Sequence, residues 1–185
     1  MKTKVTAIVF LLIASMAWAG SKPKEEHRSV TMVLDRVVAN TEEEFVPAAE
    51  AMPEDKFGFA PTNGEFKGVR TFAQQVKHVA AVNYEVAAAI LEEKPPVDLN
   101  GEAGPASITS KADIIKFLKD SFVYVHKAMA TINETNLTDT VRSPFGEGKV
   151  TRLGMACAVS WHAYDHYGQI VEYLRMNGIV PPASR

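Results

Sequence analysis

Sulfur chemistry is nearly absent from this chain. One cysteine, Cys157, occurs in 185 residues, so no disulfide can form within it. Its setting, the apolar stretch from Leu153 to Val159, predicts a small core residue rather than a nucleophile. A dominant charge sign is missing too. Twenty basic residues stand against twenty-two acidic ones, a formal charge of −2, which leaves no electrostatic footprint for nucleic acid or an anionic membrane. Beyond Ile13 no apolar run is long enough to span a bilayer. No alternating pattern marks a convincing strand, and there is no internal repeat or low-complexity tract. The HExxH signature of metalloproteases is also absent.

The chain opens with the marks of an export signal. Lys2 and Lys4 precede a short apolar run, Val5 to Ile13, and Ala17-Trp18-Ala19 has the small-x-small form that signal peptidase cleaves. The expectation is a signal peptide over residues 1–19, cleavage near Ala19, and an exported protein, periplasmic or extracellular, with no stable membrane anchor. Cleavage removes two positive charges and no acidic ones, moving the formal charge from −2 to −4. Residues 20–185 suit a single domain with enough chain to bury a core.

Helical periodicity dominates the rest of the chain. Val30 to Ala51 carries apolar residues at helix spacing, with Pro47 expected to kink or shorten it. Met52 to Arg70 is a loop that Phe57, Phe59 and Phe66 are expected to pin down. Thr71 caps a second helix, to about Glu93, with His78 at the edge of its apolar stripe; Lys94-Pro95-Pro96 ends it. A loop comes next, then Ser110 caps a third helix with its face at Ile115, Leu118, Phe122, Val125, Met129 and Ile132. Asn133 to Lys149 is another loop, whose SPFGEGKV end suits a short turn with extended flanks. Thr151 opens the last helix, which runs to Met176 with an apolar row at Ser160, Tyr164, Tyr167, Val171 and Leu174. Asn177-Gly178 and Pro181-Pro182 stop it. The fold class is all-α, a four-helix bundle with long loops.

Five histidines are present. His27 lies in a polar lead and His126 on the flank of the third helix. His162 and His166, in the sequence HAYDH, stand four residues apart, so the helical repeat stacks them on one face. Val159 and Ile170 flank them there. Buried imidazoles require partners, and one metal ion serves two of them; the bland alternative is a pair of half-buried histidines satisfied by backbone or carboxylates. His78, on another long helix, completes a set of two ligands from one helix and one from its neighbour. Three imidazoles favour zinc, nickel, iron(II), cobalt or copper over magnesium or calcium. The absence of a fourth ligand leaves a coordination position open, the catalytic pattern for zinc. Asp165 and Tyr84 are candidates for a supporting role, Asp165 by orienting an imidazole and Tyr84, like Tyr167, through its hydroxyl. Glu85 belongs to the flank.

Three segments carry a family resemblance: MPEDKFGFAPTNGEFKGVRTFAQQVKHVA, GEGKVTRLGMACAVSWHAYDHYGQI and YLRMNGIVPP. Together they resemble the DinB-like family of four-helix-bundle metalloenzymes. The resemblance implies a divalent metal, zinc or nickel, held by His78, His162 and His166, and a homodimer. Characterised members include thiol-dependent S-transferases and a mycothiol-dependent isomerase. Those thiols are cytosolic, and the export signal argues against carrying that substrate over. The expected function is a metal-dependent hydrolase or thiol transferase acting on a small molecule. The alternatives are a noncatalytic metal-binding module and a dimeric small-ligand-binding or interaction domain.

Overall fold

The computed structural model describes residues 28–185. The expected signal peptide and His27 lie outside the described residues. Four helices make up the fold: α1 (Val30–Ala51), α2 (Phe72–Leu91), α3 (Lys111–Met129) and α4 (Arg152–Met176). Between α3 and α4 sit two short strands, β1 (Thr140–Arg142) and β2 (Lys149–Thr151), paired antiparallel with Val141 opposite Val150. The extended flanks expected around the SPFGEGKV turn are thus a hairpin.

Local chemistry sets the helix starts. Ser29, Thr71, Ser110 and Thr151 each accept a backbone N–H of the first turn, satisfying donors that the helix leaves free. At Thr71 the box is complete, because the Gln74 side chain in return accepts the Thr71 backbone N–H at 2.8 Å. After α4 the chain turns at Gly178, whose φ of 74° suits glycine. Pro47 does not end α1 early. The helix continues to Ala51 because Ala48 and Ala49, just past the proline, are fully buried.

The main helix pairings are α2–α3, α2–α4, α1–α4 and α1–α3, a ring in which α1 faces α2 and α3 faces α4 across the core. Phe45, Phe72, Ile90, Phe122, Met129 and Leu174 fill that core. Two buried hydrogen bonds tie neighbouring helices. Thr41 Oγ1 donates to Ser160 Oγ at 3.1 Å, and Asn83 Nδ2 donates to Ser121 Oγ at 3.2 Å. The loop after α1 is held by Phe57, edge-on to Phe72 at 5.3 Å, and by Phe59, edge-on to Tyr173 at 5.6 Å. Phe66, the third expected anchor, is exposed instead.

Two expectations about α4 are corrected. Cys157 is exposed rather than in the core. Of the row Ser160–Tyr164–Tyr167–Val171–Leu174 only the ends, Ser160 and Leu174, are buried; Tyr164 is exposed and Tyr167 and Val171 are half-buried. The inward row is Ala156, Val159, Ala163, His166, Ile170 and Tyr173. Close approach to α1 and α2 favours small residues at that contact, whereas aromatic residues at helical spacing advertise a different phase. The true phase carries His166 into the interior.

Truncating the fully buried Phe122 to Ala is expected to lower unfolding free energy by about 3–5 kcal/mol. The neighbouring Val123→Ala, on a residue 69% exposed, should change it by less than about 0.5 kcal/mol. Urea unfolding followed by circular dichroism measures both. Equal losses would contradict the inward phase assigned to α3.

Candidate metal centre

The α2–α4 contact brings three imidazoles together. His78 enters from α2, and His162 and His166 from successive turns of α4. Ring centroids lie 4.6 Å apart for His162–His166, 4.7 Å for His78–His166 and 5.0 Å for His78–His162. One ring nitrogen from each lies within 4.8 Å of the other two. His78 and His166 are buried and His162 is partly buried.

The hydrogen positions are set by groups that can only accept. His78 Nδ1 stands 3.0 Å from the Glu102 backbone carbonyl, so Nδ1 carries the hydrogen and Nε2 the lone pair. For His166 the chain of bonds starts at Asp165. The Asp165 carboxylate accepts from Gln169 Nε2 at 3.2 Å, which turns the Gln169 carbonyl toward Gln75. Gln75 Nε2 donates to that oxygen at 2.7 Å, and Gln75 Oε1 therefore faces His166 Nδ1 at 2.6 Å. His166 must donate, and its Nε2 is left with a lone pair. His78 Nε2 and His162 Nε2 then approach to 3.1 Å. A hydrogen on His162 Nε2 would satisfy one of these lone pairs, not both, and His162 Nδ1 is buried with no partner among the described residues.

Electrostatics keep the rings neutral. Burial, then the proximity of His166 and His78, pushes His162 down to about 3. Burial, then His78 and Arg70, takes His166 down to about 4. His78 is also lowered, chiefly by burial, with the Glu102 carbonyl working the other way. Neutral imidazoles offer the lone pairs a cation needs. Two nitrogens sharing one tetrahedral zinc at 2.0–2.1 Å sit about 3.3 Å apart, close to the observed approach of His78 and His162. The donor set therefore fits a divalent transition metal.

The loop that supplies the Glu102 carbonyl is itself anchored on α2. Lys77 Nζ donates to the carbonyls of Pro105 and Ile108 at 2.9 and 3.0 Å. Gly104, at φ 73°, packs so closely that a Cβ would stand 3.2 Å from both Lys77 Cε and Phe117 Cε1.

Other expected site residues sit elsewhere. Asp165 reaches the cluster only through Gln169 and Gln75, not by a direct bond to an imidazole. Tyr84 is not at the cluster. Six residues beyond His78, it lies about 240° around the helix and stacks on Phe117 at 5.3 Å, with burial pushing its hydroxyl up to about 12. Tyr167 packs on Phe45 toward α1. His126 bridges Asp35 and Glu42 at 2.6 and 3.2 Å, joining α3 to α1. Glu85 is half-buried rather than a plain flank residue, and its Oε2 has no partner among the described residues. Gln75, Gln169 and Glu102 belong to the site although the sequence pattern does not single them out. Gln75 had a signal, as an amide three residues before His78 on a helix whose other buried residues, Asn83 and Tyr84 apart, are apolar. The loop residue Glu102 acts through its backbone, which no side-chain pattern reveals.

A model of the DinB superfamily matches residues 38–170, and the chain belongs to that superfamily. No curated protein matches it. Among solved structures it is similar to a conserved protein from Enterococcus faecalis, with a TM-score of 0.61 and 17% identity over 79% of this chain and 95% of that one. It is also similar to a DinB-like protein from Bacillus subtilis, with a TM-score of 0.57 and 20% identity over 77% and 92%. At those identities the likeness is one of fold.

Replacing Gln75 with Leu removes the only acceptor of His166 Nδ1 among the described residues while leaving an apolar side chain in a buried position. The expected result is a ten- to hundredfold loss of divalent-metal affinity with helical content unchanged, read by cobalt titration in visible absorbance. Unaltered affinity would show that the glutamine chain does not set the ring.

Proposed function

We propose that this member of the DinB superfamily is an exported metal-dependent enzyme, a hydrolase or thiol transferase, acting on a small molecule. The observation that carries the reading is the set of three imidazoles, two of them locked with Nδ1–H outward and Nε2 lone pairs toward one point. His78, His162 and His166 hold the ion, zinc or nickel, and no fourth protein ligand adjoins them among the described residues. The ion's contribution is Lewis acidity, which makes a nucleophile of a weak acid at neutral pH.

The chain's own groups do the rest. The Glu102 carbonyl and Gln75 hold two rings at fixed angles, so binding requires little reorganisation. The Glu102 carboxylate, 3.7 Å from His78 Nδ1 and half exposed, is the carboxylate placed to accept a proton at the cluster's edge. No helix among the described residues is long and apolar enough to cross a membrane. Val33 and Val37 on α1 and Tyr164 on α4, beside the Thr41–Ser160 bond, leave apolar surface exposed. That surface supports a homodimer.

Elemental analysis of untagged protein is expected to find about one equivalent of zinc or nickel. Both His78→Ala and His162→Ala should lose it. A metal-free wild type that stays empty after zinc or nickel is added back would end the metalloenzyme reading and favour a binding module.

Export and assembly are read on protein recovered from the cells that make it. Intact mass should place the N-terminus at Gly20, and light scattering should give twice the chain mass. A retained Met1 would overturn export, and a monomer would overturn the dimer.

A further inference from the structure

Several cavities adjoin α2 or α4, and they differ in what they meet. One, of about 530 Å³ between α2 and the hairpin, is lined by Glu85 and Arg142 and by no histidine. Another, about 450 Å³, lies over Asp165 and Gln169, on the far side of the glutamine chain. A smaller one, about 140 Å³, meets an imidazole directly. Val82 and Val86 of α2 and Ala158 of α4 form its walls, Phe145 from the hairpin turn and Trp161 its rim, and His162 one end. Its remaining polar wall is Glu102.

We infer that this cavity is the substrate's apolar subsite, and that the substrate carries an apolar group of about benzene size beside its reacting polar group. The inference rests on the proposed metal centre and names the class of molecule that centre acts on. Val82, Val86 and Ala158 are buried apolar side chains that line the cavity, so an entering apolar group gains dispersion contact with each. Size follows from volume. An apolar cavity of about 150 Å³ holds one benzene, and this one matches it. Position follows from the wall, because a group seated here places its attached polar function against His162 and Glu102.

The rim supports the same occupant. Trp161 and Phe145 are 63% and 47% exposed, large apolar side chains left in solvent at the mouth of an apolar hole. Aromatic rings so placed gain contact with a ring that enters between them. Glu102 adds a sign. A carboxylate at the polar end disfavours an anionic head group and favours a neutral or cationic one.

The test uses zinc-loaded full-length protein, its metal content verified, and two probes that share a metal-binding head, benzohydroxamate and acetohydroxamate. Calorimetry should find the phenyl compound about ten- to a hundredfold tighter. Ala158→Leu, which fills the cavity from its wall, should abolish that preference while acetohydroxamate binds as before. Trp161→Ala, at an exposed position that the fold does not need, should reduce it. Equal affinity of the two probes for the wild type would overturn the subsite and leave the metal centre standing. Preference unchanged in both variants would overturn it as well. Protein that takes up no zinc fails the parent reading first, and the subsite falls with it.

Discussion

The contact between α2 and α4 is the constraint on which the rest of the molecule depends. At most places along it, alanine and valine meet in the ordinary way of a helical bundle. At one level the contact consists of three imidazoles, with His78 and His162 nitrogens 3.1 Å apart. Putting such polar rings into an apolar interior costs free energy unless each nitrogen is satisfied. The fold satisfies the outer nitrogens of two rings and leaves the inner nitrogens facing each other. A protein selected for stability alone would fill this level with leucine. The half-finished hydrogen bonding is what the proposed metal ion would complete.

The supports are unequal, and the inequality is informative. His78 is oriented by a backbone carbonyl in a loop, and that loop is anchored by Lys77 one residue before the histidine it serves. His166 is oriented by two amides whose polarity is dictated at the surface by Asp165. His162 has no outer partner among the described residues. It is also the ring that borders the small apolar cavity. The imidazole with the least support is thus the one that meets the cavity proposed as the substrate's subsite.

Much of this was legible in the residues. Caps at Thr71, Ser110 and Thr151, the Pro95-Pro96 stop and Gly178 marked the helix starts and the ends of α2 and α4 to within a residue or two, because those signals are local chemistry; α3, with no such stop, ends at Met129, three residues before the expected Ile132. The three histidines were legible as a set because i,i+4 spacing is enforced by the helix itself. Phase was harder. Tyr164 and Tyr167 suggested an inward aromatic row on α4, yet a tight contact with α1 and α2 needs Ala156 and Ala163, and small residues make a weak periodic signal. Cys157 was read inward from its apolar neighbours, Leu153 to Val159, but an apolar stretch on a helix still has an outward side, and Cys157 lies on it. Tyr84 failed for a rotational reason: it lies on α2 with His78 but faces α3. Glu102 lay beyond reach, since its loop conformation is set by left-handed turns and by a lysine that finds backbone carbonyls only after folding.

The hairpin shows how a segment with almost no core of its own can still shape the site. Its three-residue strands are too short to be stable alone. They are held from both ends. Val141 is buried against the bundle, and Arg152, just after β2, donates to the Ile90 carbonyl at the end of α2 and to the Glu92 carboxylate beyond it. The arginine thereby supplies a donor that the last turn of α2 needs and fixes the hairpin against that helix. The consequence is the placement of Phe145, carried by the turn to the rim of the cavity beside His162. Bundle helices present the imidazoles, but a loop stapled to a helix end closes the space around them. A change in that turn therefore alters what the three-imidazole cluster meets without touching the bundle core.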